Sequence, residues 1–240
     1  MNPLIMIPAR MAATRLPNKP LADIGGKPMI VRAWEQAALS GFRVAVAAGD
    51  PEIVAAVEAA GGLAVLTDPD LPSGSDRIRA AVEAVDPDGA HDLVINIQGD
   101  MPFASPDLAR ACADLLARES ACDIATLVAA EADASDRANP DVVKAVLALP
   151  EGGSSGRALY FTRSTLYGDG PVWRHVGIYG YRREALMRFC AAPPSPLEKR
   201  EKLEQLRALE MGLQIWASVI DEAPLSVDNP ADLEAARALA

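Results

Sequence analysis

Three cations stand close together near the N-terminus, Arg10, Arg15 and Lys19, in the run Ile7-Pro8-Ala9-Arg10-Met11-Ala12-Ala13-Thr14-Arg15-Leu16-Pro17-Asn18-Lys19-Pro20. Small residues separate them, which lets a ligand approach the backbone, and fixed cations beside free N–H groups make an anion site. An arginine grips a phosphate through two parallel hydrogen bonds, whereas a lysine acts as a mobile point charge. The chemistry on offer is capture of a triphosphate. A basic loop whose cations are merely solvated is an equal reading on these residues alone. The stretch is not a P-loop, since Gly26-Lys27 is followed by Pro28 where Ser or Thr belongs. It is not a dinucleotide fingerprint either, since G-x-G-x-x-G is missing.

Two further stretches carry candidate chemistry. Pro72-Ser73-Gly74-Ser75-Asp76-Arg77 puts small and hydroxyl residues at a helix start. Such a start suits a ligand held by backbone and serine, with Arg77 close by, and equally a plain capping turn. Taken alone, the capping turn is the better reading. Asp100 follows the apolar run 92–97 after Gln98-Gly99. Ligands of open α/β sheets sit beyond the carboxyl ends of the strands, so this carboxylate faces the crevice. Across a triphosphate its task would be to hold Mg²⁺, a hard cation that takes one or two carboxylates plus phosphate oxygens.

The elements that must position these residues are legible as a pattern. Short apolar runs at 4–7, 44–47, 63–66 and 92–97 alternate with helical spacing at 29–39, 53–60, 78–85 and 107–117. That alternation implies α/β architecture, a mostly parallel sheet with helices on both faces. Beyond the strand at 124–128 the character changes. Strands are expected at 142–147, 158–161, 175–181 and 214–220, the first two joined by Gly152-Gly153-Ser154-Ser155-Gly156. This half is expected to be mixed or antiparallel. Leu197, Leu203, Leu206 and Leu209 fall at helical intervals after the rigid corner Pro193-Pro194-Ser195-Pro196, and a closing helix is expected at 231–240.

At 240 residues the chain is long enough for one full core. No apolar stretch is long enough to span a bilayer. A strand pattern starts after two residues, which leaves no room for a signal peptide and points to the cytoplasm. Cys112, Cys122 and Cys190 lack metal-type spacing and read as reduced thiols. His91 and His175 are the only histidines, which argues against a His-rich zinc site. A net charge of −10 argues against non-specific nucleic-acid binding, so any anionic partner must be held locally.

The motifs together resemble those of the cytidylyltransferases that make CMP-activated acidic sugars. The resemblance rests on the opening Ile-Pro-Ala-Arg and Thr-Arg-Leu-Pro-Asn-Lys-Pro-Leu, on Gln98-Gly99-Asp100, on Tyr160-Phe161-Thr162-Arg163 and on His175 to Arg182. Pro194-Ser195-Pro196-Leu197-Glu198, Leu203-Glu204-Gln205-Leu206-Arg207 and Val227-Asp228-Asn229-Pro230 extend it, in order, over nearly the whole chain. It implies a Rossmann-like nucleotidyltransferase fold in a single domain over 1–240, with roughly 141–212 forming a lobe for the acceptor and for dimerisation. It implies an enzyme that takes CTP and an acidic sugar, 3-deoxy-manno-octulosonate (Kdo), gives CMP-Kdo and pyrophosphate for lipopolysaccharide assembly, requires Mg²⁺ and acts as a homodimer.

Carried over by position, Arg10, Arg15 and Lys19 would bind the triphosphate. Ala9, Ser73 and Gly74 would line the nucleotide pocket, and Asp100 and Asp228 would hold the metal. Gln98, Arg163, His175, Tyr179, Glu204 and Gln205 would hold the sugar, with Arg163 and His175 on its carboxylate. Attack of the anomeric hydroxyl on the α-phosphorus needs positioning and charge neutralisation more than covalent help. Departures from the family's usual pattern are Met101 for Glu, Asn18 for Gly, Leu71-Pro72 for His-Gln, and a short segment at 164–174. The alternatives are CMP transfer to 8-amino-Kdo or a sialic-acid-like sugar, a sugar- or polyol-phosphate acceptor, and a non-catalytic nucleotide-binding or scaffold protein.

Overall fold

The computed structural model describes residues 1–12, 16–130, 134–168 and 170–240. The chain divides into two compact units, Met1–Arg110 with Pro224–Ala240, and Ala111–Ala223. The first begins with β1 (Pro3–Ala9), the two-residue strands β2 (Asp23–Ile24) and β3 (Lys27–Pro28), α1 (Met29–Ala38), β4 (Arg43–Ala48) and α2 (Pro51–Ala59). There follow β5 (Leu63–Leu66), α3 (Gly74–Val85), β6 (Leu93–Asn96) and α4 (Pro106–Arg118), which leads into the second unit.

Strand order in the first unit is β5-β4-β1-β6, and every pairing among these four is parallel. Central β1 carries Leu4, Ile5, Met6 and Ile7, all fully buried, which is why it reads as an unbroken apolar run. β1 and β4 stay in register to Ala9 and Ala48, and Gly49 N–H then donates to Ala9 O at 2.8 Å. The carboxyl ends of β1, β4 and β6 therefore open on one side, followed by Arg10, Asp50 and Gln98-Gly99-Asp100.

The second unit contains β7 (Ile124–Ala130), β8 (Lys144–Ala148), β9 (Ser155–Thr162), β10 (Trp173–Arg182), α5 (Arg183–Ala191), α6 (Pro196–Glu201), α7 (Gln205–Glu210) and β11 (Ile215–Ile220). Its order is β10-β7-β11-β9-β8, with β8 also pairing with β10. Only β7 with β11 is parallel; the other pairings are antiparallel, as the change of pattern implies. The stretch 141–212 lies within this unit. The chain then returns to the first unit with α8 (Pro230–Ala238).

The leucine spacing over 197–209 implies one helix, and the structure corrects this to two. α6 starts on a full capping box, Ser195 with Glu198, but Lys202 turns left-handed at φ 56° and ends it. The break lets Leu203 and Leu206 both bury, and Glu210 Oε2 accepts from Leu197 N at 3.1 Å, folding the pair back on itself.

Cys112, Cys122 and Cys190 are free and buried. Among the described residues no helix is long and apolar enough to cross a membrane.

Candidate active site

The loop after β1 is fixed at both described ends. Met11 N–H donates to Asp50 Oδ2 at 2.7 Å, and Leu16 packs on the buried cluster of Ile24, Met29, Val227, Leu233 and Ala236. Asn18 is left-handed at φ 57°, a conformation that asparagine tolerates better than other residues with a side chain. A short 3-10 turn, Lys19–Leu21, follows and directs Lys19. Arg15 lies outside the described residues.

Lys19 Nζ donates to Asp100 Oδ2 at 2.7 Å and to Asp228 Oδ1 at 3.1 Å, so the two distant carboxylates converge on one ammonium. Burial alone would lower the Lys19 pKa; the charges of Asp100 and then Asp228 outweigh it and hold the pKa above its ordinary value. Two contacts bring Asp228 here. Val227 N–H donates to Asp100 O at 2.9 Å, and Val227 is fully buried. The turn after it is set by the capping box of α8: Asn229 Oδ1 accepts from Ala231 N and Asp232 N, while Asp232 Oδ2 accepts from Asp228 N and Asn229 N. Asp100 Oδ1 is buried without a hydrogen-bond partner.

A cavity of about 260 Å³ adjoins this triad, lined among others by Ala9, Arg10, Lys19, Ser73, Gly74 and Gln98. Ser73 is the N-cap of α3: its Oγ accepts from Asp76 N at 3.1 Å and donates to Asp76 Oδ2 at 2.8 Å. The turn thus caps α3 and also lines the cavity. Arg77 also lines the cavity but is only 2% exposed, and it donates to Thr67 Oγ1, Asp68 O and Pro69 O. Burial first, then the Arg10 charge, lower its pKa. Arg77 thus braces the wall and adds positive potential. A Cβ on Gly49 would lie 2.9 Å from Arg77 Nη1 and 3.1 Å from Arg10 Cβ, so this turn admits only glycine without displacing both arginines.

The second unit gathers most of the acceptor candidates around an aromatic row. Phe161 meets His175 edge-on at 5.0 Å, His175 lies 5.4 Å from Tyr179, and Tyr181 and Phe189 continue the row. A bulge between Val176 and Tyr179 interrupts the regular strand, yet both rings keep to one side and touch. Burial, then the charge of Glu204, raises the Tyr179 pKa, which places Glu204 near the phenol. Arg207 stacks on Phe189 at 4.2 Å and donates to Glu204 Oε1 at 2.9 Å. Gln205 opens α7 and is 8% exposed. Arg163 Nη1 donates to Pro140 O at 3.1 Å and Asp141 O at 3.3 Å. The short segment at 164–174 is gathered by Arg137, which donates to Leu166 O, Gly168 O and Gly170 O. Met101 is buried, 7% exposed.

A family profile described as cytidylyltransferase matches residues 4–215. The chain belongs to the cytidylyltransferase family. Among the relatives of this cytidylyltransferase, proteins named 3-deoxy-manno-octulosonate cytidylyltransferase are 59% identical in Parvibaculum lavamentivorans and 57% in Rhodospirillum centenum. Each alignment covers 99% of this chain, and 92% and 93% of the respective relative. A solved structure of CMP:2-keto-3-deoxy-manno-octonic acid synthetase complexed with CTP superposes with a TM-score of 0.91 at 37% identity, covering 100% of this chain and 98% of its own. A nucleotidyl transferase from Methanothermobacter thermautotroptrophicus, at TM-score 0.66 and 15% identity over 99% of this chain and 97% of its own, shares the fold.

His175 is one of the acceptor candidates named by the resemblance. Burial pushes its imidazole down to about 4, so the ring is neutral at physiological pH. Thr126 Oγ1 lies 3.0 Å from His175 Nε2 and within hydrogen-bond reach of Ile178 O at 2.9 Å and Val176 O at 3.3 Å. Unfolded, His175 titrates near 6.5; folded, near 4. Between these values the unfolded chain binds the proton that the folded chain refuses, so stability falls as pH drops from 6.5 toward 4 and is unaffected above 6.5. Replacing His175 by Asn should flatten that decline by about 2 kcal/mol at pH 4, less than the full shift because the ring keeps some contact with water. Urea denaturation of both proteins across this range is the check, and parallel curves would rule the neutral buried ring out.

In sequence, Gly49-Asp50-Pro51 has the form of an ordinary turn into a helix. Asp50 is the N-cap residue of α2, yet its carboxylate makes no capping bond to that helix and instead accepts from Met11 N–H in the loop after β1. Replacing it by Ala should raise the KM for CTP about tenfold, in line with loss of one charge-assisted hydrogen bond. The KM for the acceptor should hold steady. Steady-state kinetics with each substrate varied separately decide the matter, and an unchanged KM for CTP would free the loop from Asp50.

Proposed function

We propose that this cytidylyltransferase transfers CMP from CTP to the anomeric hydroxyl of Kdo, releasing pyrophosphate. The observation that carries the reading is the convergence of Asp100 and Asp228 on Lys19, beside a cavity that Arg10 also lines. A triphosphate and an anionic sugar repel each other, so the reaction requires fixed cations and a divalent ion between them. The near-full-length relatives named for this reaction support the choice of acceptor.

Asp100 and Asp228 fit Mg²⁺: both are hard carboxylate donors, and Asp100 Oδ1 is a buried oxygen without a partner. When bound, the ion would neutralise phosphate charge and acidify the attacking hydroxyl. Arg10 and Lys19, with Arg15, hold the phosphates in this proposal, and Ala9, Ser73 and Gly74 shape the nucleotide pocket. Arg77 supplies potential and rigidity there. In the second unit Arg163 takes the sugar carboxylate, while neutral His175, Tyr179, Glu204 and Gln205 take hydroxyls. We place the protein in the cytoplasm, as a homodimer feeding lipopolysaccharide assembly.

The test is a pyrophosphate-release assay crossing CTP and UTP with Kdo, 8-amino-Kdo and a sialic acid, with and without Mg²⁺. Release is expected with CTP, Kdo and Mg²⁺ together. Equal turnover of another acceptor would overturn the sugar assignment, and no release with any acceptor would leave only nucleotide binding.

A further inference from the structure

Lys144 sits where a strand should be apolar. It lies in β8 between Val143 and Ala145 and is 0% exposed. A buried ammonium is costly unless its protons are used, and an apolar residue of similar size would fill the place without that cost. Here the ammonium donates to Asn139 O at 2.8 Å and Arg163 O at 2.7 Å. Arg163 in turn donates to Pro140 O and Asp141 O, one and two residues further along the same turn. Both cations therefore hold carbonyls of the 139–141 turn, and Lys144 holds the main chain of Arg163 directly. The backbone N–H of His175 bonds Val143 O at 2.8 Å, and Arg174 pairs with Lys144 across the strands.

We propose that Lys144 is a positioning residue for the acceptor end of the reaction: it fixes Arg163 through its carbonyl and adds a second, desolvated positive charge behind the guanidinium. This rests on the reading that Arg163 binds the sugar's carboxylate. Arg163 and Lys144 are like charges in proximity, and burial first, then Arg163, lowers the Lys144 pKa, with Asp136 pulling the other way. Such an arrangement is unfavourable for the empty fold and favourable once an anion arrives. It is the expected signature of a site for a carboxylate rather than of a packing lysine.

The experiment is steady-state kinetics of Lys144→Met, Arg163→Gln and the double variant, with Kdo and CTP varied separately and thermal unfolding recorded. Lys144→Met should raise the KM for Kdo about tenfold and leave the KM for CTP within about twofold. In the Arg163→Gln background the same change should add little, since Lys144 acts through Arg163. A fall in melting temperature with both KM values unchanged would reduce Lys144 to a structural part and overturn the proposal. An unchanged Kdo KM in Arg163→Gln would show instead that the carboxylate reading itself fails, and the proposal with it. If Lys144→Met does not fold, the wild-type protein decides. The slowly exchanging Nζ signal of the buried lysine, observed by ¹⁵N NMR, should move on titration with Kdo and stay in place with CTP; no movement with Kdo overturns the proposal.

Discussion

Asp100→Asn should cost about a thousandfold in kcat, roughly 4 kcal/mol of transition-state stabilisation, while the protein stays folded. The side chain keeps its shape and loses only its charge. Lys19 retains Asp228 at 3.1 Å, and both acidic side chains are partly exposed, at 24% and 55%, so the loss of fold stability should be only about 1 kcal/mol. The chemical loss is larger because the reaction needs that charge to bring a polyanion and an anionic acceptor together. Pyrophosphate release at saturating CTP and Kdo measures it, with circular dichroism as the control for folding. Turnover within tenfold of wild type would show that Asp100 serves only as the counter-ion of Lys19. Asp228→Asn belongs beside it in the same assay, since the proposed pair must fail together.

The sequence exposes this site unevenly, for physical reasons. Parallel strands buried on both faces read as unbroken apolar runs, so β1, β4 and β6 and the loops at their carboxyl ends are legible, and Asp100 with them. The meeting of Asp100 with Asp228 is a different matter. It depends on a backbone bond between residues 100 and 227 and on an Asn229 capping box, and only the motif resemblance pairs them. Arg77 belongs to the right cavity, but composition cannot reveal that Thr67 and two carbonyls engage its guanidinium. The break at Lys202 is hidden because the leucine spacing is compatible with one helix, whereas the capping box and a left-handed residue make two. Lys144 did leave a trace, as the one lysine within the apolar run 142–147. Asp50 left none, since Gly-Asp-Pro before a helix is ordinary capping sequence.

Lys19→Met should separate two roles that one ammonium holds. With Lys19 in place, its charge satisfies Asp100 Oδ2 and Asp228 Oδ1, and the two acids raise its pKa despite its burial. An apolar side chain of similar length leaves two carboxylates facing one another without a counter-charge. Repulsion between them then favours any divalent cation that can bridge them. The nucleotide-free variant should therefore bind Mn²⁺, a paramagnetic substitute for Mg²⁺, about tenfold more tightly than the wild type. Turnover should move the opposite way, falling about a hundredfold with a raised KM for CTP, because the cation proposed to hold the phosphates is gone. The combination is diagnostic: a lysine that merely cements the fold would lower cation affinity by letting the acids drift apart. Electron paramagnetic resonance titration of Mn²⁺ against both proteins, without nucleotide, reads the first effect. Weaker binding in Lys19→Met would mean that Lys19 assembles the carboxylate pair and does not compete for it. Tighter binding with slower turnover would instead make Lys19 a resident cation that holds the acids ready and yields them to the metal when the triphosphate offers it other oxygens.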